Sequence, residues 1–308
     1  APLYATAGTI ADDSPLAAEV AAIKAATTDP LERAAKALQL VQDKVRYLAV
    51  GMDGGNYVPQ TPAKTWDVRY GDCKAKTLLL LAMLHAMDID AEPVLAHAQL
   101  GDAVASRLPT ALAFNHVIVK ATIGGEPLWL DGTGLGTRLA DIRDTPAFGY
   151  VLPVRAEGAE LEKIALRRPA RPTIDLALDA DESTSIDLPS VIKVDMVVRG
   201  QLASLLTLST AQLGPKEQED MLNGLLQNFV GQAQFDKLEA KPDASDGSVT
   251  ITARGVFGSG WEREDNHSER WLSRVGNLIE FSPDRARASW ANIPVATGAP
   301  DYAHYRLR

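Results

Sequence analysis

The chain has 308 residues, of which 46% are hydrophobic and 23% are charged. This length favours two domains over one, and the composition supplies a packed core, which excludes a wholly disordered protein. Lys and Arg total 31 against 40 Asp and Glu, which gives a net charge of −9. Because nucleic-acid binding depends largely on basic side chains, the sequence argues against DNA or RNA and against an anionic membrane surface as partners.

The first third of the chain is predicted to be helical. A capping residue directly before a proline marks two helix starts, because this pair suits the first helical turn. A third helix starts at Cys73 and is apolar on all sides, which is typical of a helix buried on most faces. The predicted helices cover residues 15–27, 30–47 and 73–88. Glycines and prolines predict an exposed turn at 51–56 and irregular backbone from there to about residue 70.

Strands follow the third helix, with Gly124-Gly125 as the turn of a hairpin. The predicted strands are 91–96, 114–122 and 127–131. Beyond a linker rich in Pro and Arg, the pattern predicts a strand over 191–198, a helix over 215–229 and a hairpin of 235–241 with 249–257. The fold class is therefore α+β. A first domain, residues 1–168, has helices packed on an antiparallel sheet, and residues 169–308 form a β-rich domain with one or two helices.

The longest apolar run, residues 78–84, is far shorter than the roughly 20 residues that span a bilayer, so we expect no direct membrane insertion. The sequence begins with Ala1 and shows no signal peptide, so we expect a processed or excised part of a longer protein. Cys73 is the single cysteine, which excludes an intrachain disulfide. The sequence shows neither metal-ligand spacing nor a supported cofactor motif, so no metal and no cofactor are expected.

Cys73 lies at the predicted N-terminus of the buried helix. Unpaired N–H groups and the helix dipole favour an anion at this end, so they stabilise a thiolate, which is the nucleophilic form of cysteine. The alternative is that Cys73 is a small buried hydrophobic residue. The position in the helix does not decide between the two.

The predicted hairpin brings a histidine close to an aspartate. With a two-residue turn, Ile118 lies opposite Asp131, so His116 and Asp131 are diagonal neighbours on one face of the sheet. A loop of odd length would place them on opposite faces. A nucleophilic cysteine needs a base and a third group that orients the base, and Cys73, His116 and Asp131 are those residue types. Alone, His116 could be a structural histidine and Asp131 a turn former.

These residues resemble the transglutaminase-like superfamily of papain-like cysteine enzymes. Bacterial members open the core helix with a Gly-Asp-Cys-Lys block, here residues 71–74, followed by His on a strand and Asp on the next strand. The resemblance covers about residues 31–154 and implies a papain-like fold for the first domain. It also implies that bacterial proteins of this kind often carry a further β-sandwich domain upstream. We therefore expect an exported or periplasmic bacterial protein.

The resemblance implies acyl transfer in which Cys73 attacks an amide carbonyl to form a thioester. His116 would then protonate the leaving amine, and Asp131 would orient His116. With water as acceptor the result is hydrolysis of a peptide or protein substrate, as in a protease or amidase, and this is the expected activity. An amine as acceptor gives transamidation. Two further hypotheses are a non-catalytic binding or scaffold protein and an arylamine-type acyltransferase, which uses the same three residue types.

The oxyanion hole is only partly defined by the sequence. The backbone N–H of Cys73 at the helix start is one natural donor. Papain-like proteases place Gln six residues before the cysteine, where this chain has Asp67. Candidates for the second donor are Trp66, Gln60 and Tyr47. Ordinary packing or an exposed loop position is the alternative explanation for each of them.

Overall fold

The computed structural model of the protein describes residues 2–6, 9–48, 58–258, 260–270, 287–291 and 302–308. The chain divides into two compact units, Ala1–Arg171 and Pro172–Arg308. This division lies in the same stretch rich in Pro and Arg where the sequence placed the linker. Within the described ranges, none of the helices is both long enough and apolar enough to cross a membrane.

The helices of the first unit follow the capping signals of the sequence. Ser14 Oγ accepts a hydrogen bond from the N–H of Ala17, and Asp29 Oδ1 accepts one from Leu31, so two helices begin where predicted. The α-helices described in this unit are α1 (Pro2–Thr6), α2 (Pro15–Ala26), α3 (Pro30–Lys44), α4 (Pro62–Val68) and α5 (Cys73–His85). Short 3-10 helices cover Gly101–Ser106, Ala111–Ala113 and Leu139–Asp141.

The helix prediction was wrong at several points, since α1 was not predicted and α5 ends at His85 instead of near Asp88. Helix α3 ends at Lys44 instead of about Tyr47, because the chain turns there into strand β1 (Arg46–Tyr47), which pairs in parallel with β2 (Tyr70–Gly71). The predicted irregular stretch contains α4, which is capped by Thr61. Its proline occupies the first helical turn, where a missing N–H leaves no hydrogen bond unmade. The predicted turn at 51–56 lies outside the described residues.

The main sheet of the first unit is antiparallel, with strand order β5-β4-β3-β6-β7. Its strands are β3 (Asp90–Ala96), β4 (His116–Ile123), β5 (Glu126–Leu130), β6 (Tyr150–Pro153) and β7 (Glu162–Lys163). Gly124 and Gly125 have φ values of 61° and 80°, as a two-residue hairpin turn requires, and Ile123 pairs with Glu126. The predicted register of the hairpin is therefore confirmed.

Both faces of this sheet are buried. On one face, Val119, Ala121, Leu128 and Leu130 belong to a core shared with α3 and α5. On the other face lies a smaller cluster, made of Val94, Ala96, Ile118, Trp129, Val151 and Ile164. Helix α5 is buried from Cys73 to Leu84, as its apolar sequence predicts. A polar side chain inside these layers needs a hydrogen-bond partner, because water does not supply one.

The second unit combines a mixed sheet with two helices in the described residues. Its sheet has the order β10-β11-β9-β8-β14, with β14 parallel to β8 and the other pairs antiparallel. The elements are β8 (Ile174–Asp181), β9 (Ser190–Arg199), α6 (Gly200–Thr210), α7 (Pro215–Val230), β10 (Ala233–Asp243), β11 (Ser248–Phe257), β12 (Glu262–Glu264), β13 (His267–Glu269) and β14 (Ala303–Leu307), with a 3-10 turn at Ala288–Trp290. The fold is α+β, and β8, α6, β12, β13 and β14 were not predicted.

Candidate active site

Cys73 is the first residue of α5. The residue before it, Asp72, caps the helix by accepting a hydrogen bond from Ala75 N at 3.0 Å, and its carboxylate also pairs with Lys74. The Cys73 residue is 5% exposed. Its backbone N–H belongs to the first helical turn, whose N–H groups have no acceptor one turn earlier in the helix. The thiol therefore lies at a helix end that favours negative charge.

His116 and Asp131 meet at the open end of the hairpin. His116 is the first residue of β4, and Asp131 directly follows β5. His116 Nε2 lies 2.9 Å from Asp131 Oδ2, which leaves Nδ1 as the ring nitrogen for a second partner. The Cys73 side chain lies near the same ring, since it is one of the two groups that raise the pKa of His116. The structure thus brings together the three residues that the sequence singled out.

The surroundings of His116 and Asp131 shift the pKa of both groups. Burial acts to lower the pKa of His116, but its hydrogen bonds with Asp131 and Cys73 outweigh burial and raise the pKa to about 9. For Asp131, burial acts to raise the pKa, but the bonds from His116 and Thr133 lower it below its ordinary value. At neutral pH the pair is therefore an imidazolium and a carboxylate, with the positive ring next to the thiol.

Two neighbours that the sequence pattern does not indicate, Thr133 and Phe148, fix the orientation of these groups. Asp131 Oδ1 accepts hydrogen bonds from the backbone N and Oγ1 of Thr133, at 2.8 and 2.7 Å. The ring of Phe148 packs edge-on against the imidazole, with 5.4 Å between the ring centroids. Both oxygens of the Asp131 carboxylate are thus bonded, and the imidazole is covered on one side.

Gln42 holds the loop that follows Asp131. This buried residue of α3 donates from Nε2 to the Asp131 carbonyl at 2.9 Å and to Thr137 Oγ1 at 3.0 Å. Its Oε1 accepts a hydrogen bond from Thr137 N at 2.9 Å. The side-chain amide of Gln42 therefore forms hydrogen bonds with both ends of the loop from Asp131 to Thr137. A glutamine next to Val41, on the apolar face of a predicted helix, was the signal in the sequence that could have indicated this role.

The three predicted oxyanion donors lie in different surroundings. Gln60 Nε2 donates to Thr65 Oγ1 and to the Tyr70 carbonyl, both at 3.1 Å, so both amide protons are used. Trp66 is buried in the helical core, with the guanidinium of Arg69 3.5 Å above its ring.

Tyr47 lies opposite Gly71 across the β1–β2 pair, close to the start of α5. Burial raises the pKa of its hydroxyl, and the charges of Cys73, Asp72 and Asp131 raise it further. The pKa of Tyr4 in α1 is raised in the same way, by burial and by the charges of Cys73 and Asp72. Of the three predicted donors, Tyr47 is thus the one whose pKa responds to the charges of both Cys73 and Asp131.

Among the residues that the structure describes, no group of three or more His, Cys, Asp or Glu side chains is arranged to hold a metal ion. A scan against protein-family models gives no match, and a search of curated proteins gives none either. Solved structures do match the chain at low sequence identity.

Three solved structures illustrate this similarity. A putative protease from Parabacteroides distasonis ATCC 8503 is 12% identical, with 80% of this chain and 51% of that chain covered and a TM-score of 0.37. A putative cysteine protease from Cytophaga hutchinsonii is 17% identical, with 42% and 40% covered and a TM-score of 0.26. Legionella pneumophila LapG is 17% identical, with 44% and 75% covered and a TM-score of 0.28.

This chain therefore spans about half the length of the first of these structures. The overall similarity is low, so the function has to be inferred from the geometry of the site.

Proposed function

We propose that the protein is a cysteine hydrolase that cleaves amide bonds of a peptide or protein through a thioester on Cys73. The observation that supports this most is the 2.9 Å bond between His116 and Asp131, next to Cys73 at the N-terminus of α5. Each of these three groups has a role in acyl transfer, as nucleophile, as acid and base, and as the group that orients the base. A scaffold protein needs none of the three in this arrangement.

In the first step, Cys73 Sγ attacks the carbonyl carbon of the substrate, so that a C–S bond forms and negative charge develops on the carbonyl oxygen. The imidazolium of His116 then gives its proton to the amide nitrogen, the C–N bond breaks, and the amine leaves. The product of this step is a thioester on Cys73. Asp131 keeps the ring in place through the 2.9 Å bond to Nε2.

In the second step, His116 takes a proton from water as the water oxygen attacks the thioester carbon. The C–S bond breaks, the carboxylic acid leaves, and the thiolate and imidazolium are restored. Hydrolysis is proposed over transamidation because it needs no second organic substrate. In both steps the backbone N–H of Cys73 and the hydroxyl of Tyr47 are the proposed donors to the carbonyl oxygen.

The first test measures the rate at which iodoacetamide alkylates the single cysteine, from pH 5 to pH 9, in wild type and in His116→Ala. We expect the wild type to react at pH 6 at least about tenfold faster than the variant, because the imidazolium stabilises the thiolate. His267→Ala, which removes an exposed histidine on β13, is the matched control and should react like wild type. Equal rates in wild type and His116→Ala across this range would refute the proposal.

A second test identifies the acceptor. The wild type and Cys73→Ser are incubated with a peptide library, and products are identified by mass spectrometry in the presence and absence of a primary amine. Hydrolysis gives free carboxylic acids that depend on Cys73 and do not depend on the added amine. Products that carry the amine in place of water would show that the chain is a transamidase.

A further inference from the structure

Lys76 is a charged residue in the core that the proposed mechanism does not use. It is 0% exposed and is among the largest fully buried side chains of the described residues. Burial lowers its pKa to about 8, although the charges of Asp131 and Asp43 act in the opposite direction. A buried charge of this kind is less favourable for stability than a hydrophobic residue of similar size. Its presence therefore calls for an explanation beyond packing.

Lys76 forms a hydrogen bond with the C-terminal end of helix α3. Its Nζ donates a hydrogen bond to the carbonyl of Val45, the residue that caps the C-terminus of α3. The last carbonyls of a helix have no partner within it, and the helix dipole is negative there, so an ammonium suits this position. Strand β1 begins at the next residue, so the bond also fixes the segment that carries Tyr47.

Lys76 also lies close to the candidate site. It lies one helical turn after Cys73, and side chains on a helix lean towards its N-terminus, which here means towards Cys73. Gly132, next to Asp131, packs directly on it, since a Cβ at Gly132 would lie 3.4 Å from Lys76 Cβ. The charged groups that act on the ammonium are Asp131 and Asp43, and Asp43 is already paired with Arg138.

We propose that Lys76 is a positioning residue of the candidate active site. Its ammonium ties the end of α3 to the first turns of α5, and its positive charge is a counter-charge to Asp131 beside His116. It does not contact the substrate. This inference rests on the proposed function, because it assigns Lys76 a role in keeping the Cys73–His116–Asp131 group in its reactive state.

The test compares two variants of the full chain, Lys76→Met and Lys76→Gln, with Lys193→Met as control for an exposed cation. Methionine removes both the charge and the hydrogen bond, whereas glutamine removes the charge and keeps a donor for Val45. The readout is the rate of Cys73 alkylation against pH, with circular dichroism and thermal unfolding to confirm that each variant is folded.

We compare the pH at which Cys73 loses its reactivity as the pH is lowered. In both Lys76 variants we expect this pH to be about one unit higher than in wild type, because Asp131 is protonated more easily without the nearby cation. Lys193→Met should follow the wild-type profile. A general loss of structure would lower the alkylation rate without shifting the pH at which reactivity is lost.

Folded variants with the wild-type profile would overturn the inference and leave the proposed function standing, provided that His116→Ala still lowers the rate. If only Lys76→Met differs from wild type, the hydrogen bond to Val45 matters and the counter-charge role is wrong. If Lys76→Met does not fold, Lys76→Gln alone decides whether the charge acts on the site. A wild type whose reactivity does not depend on His116 would overturn both proposals.

Discussion

One charged pair in each of the two sheets lies in opposite surroundings. In β9 of the second unit, Ile192 and Val194 are buried, whereas Lys193 and Asp195 form an ion pair of 2.7 Å with side chains 62% and 40% exposed. In the first unit both faces of the sheet are buried, and the ionisable side chains at its end, His116 and Asp131, are bonded to each other.

This difference separates charges that tolerate replacement from charges that require an explanation. An exposed ion pair contributes about 0–1 kcal/mol, because water and salt screen it. A buried charge is unfavourable by several kcal/mol unless its partners satisfy it fully. His116 and Lys76 belong to the second kind, and Asp131, with a side chain 23% exposed, is bonded to His116. Lys76 lies on the same helix as Cys73. The buried charges of the first unit thus indicate the site more directly than any count of polar residues.

The largest effect expected from breaking this arrangement is on catalysis. In Asp131→Asn, the ring of His116 loses the carboxylate that orients and charges it, so we expect kcat/KM for a peptide found in the library screen to fall about 1,000-fold or more. Asp195→Asn removes a carboxylate from the exposed pair and should leave kcat/KM unchanged. A variant at Asp131 with wild-type kcat/KM would show that Asp131 has no part in the reaction.

The next effect is on the pH dependence of stability. The pKa of His116 rises from 6.5 to about 9 on folding, so its charge stabilises the fold fully below pH 6.5, and this contribution is lost as pH rises through 9. The free energy of unfolding of wild type minus that of His116→Ala should therefore be about 3 kcal/mol smaller at about pH 10 than at about pH 6. Chemical denaturation at several pH values measures this gap, and a gap independent of pH would contradict the assignment.

A smaller effect is expected at Gln42. Leucine in its place leaves the Asp131 carbonyl and the Thr137 groups without their partner, so Gln42→Leu should lower the free energy of unfolding by about 1–3 kcal/mol. Gln39→Leu on the same helix is the matched control, because the amide of Gln39 bonds only weakly to Asp43, at 3.4 Å. Equal stability of the two variants in urea would show that the loop does not depend on Gln42.

The smallest effect is expected at the exposed ion pair of the second unit. Lys193→Ala breaks the exposed pair with Asp195, and we expect the free energy of unfolding to change by less than about 0.5 kcal/mol. Any difference from wild type should shrink further in high salt, because the charges are exposed to solvent. A loss as large as that of Gln42→Leu would mean that exposure is a poor guide to the importance of a charge in this protein.

Local chemistry explains what the sequence predicted well. Two adjacent glycines allow the positive φ values of a two-residue hairpin turn, and that turn fixes which side chains share a face. The juxtaposition of His116 with Asp131 follows from it without knowledge of the rest of the fold. Helix α7 was similarly clear, because a proline opens it and its apolar residues recur on one face.

What the sequence did not predict depends on contacts between distant segments. Strand β14 pairs with β8, with Ala303 opposite Ile174, and such a pairing has no local signal. The strand β8 itself alternates apolar residues with aspartates, which is a signal that could have been used. Gln42 and Lys76 were missed because their roles depend on which loop and which helix end pack against them.

The contacts of α3 determine how much of the chain the site requires. Gln42 bonds to the Asp131 carbonyl across 89 positions of sequence, and Val45 receives the ammonium of Lys76 across 31. A shortened fragment could keep Cys73, His116 and Asp131 but begin after α3. It would lack the bond from Gln42 to Asp131. The smallest piece of this protein that keeps these supports of the candidate site therefore begins no later than Pro30.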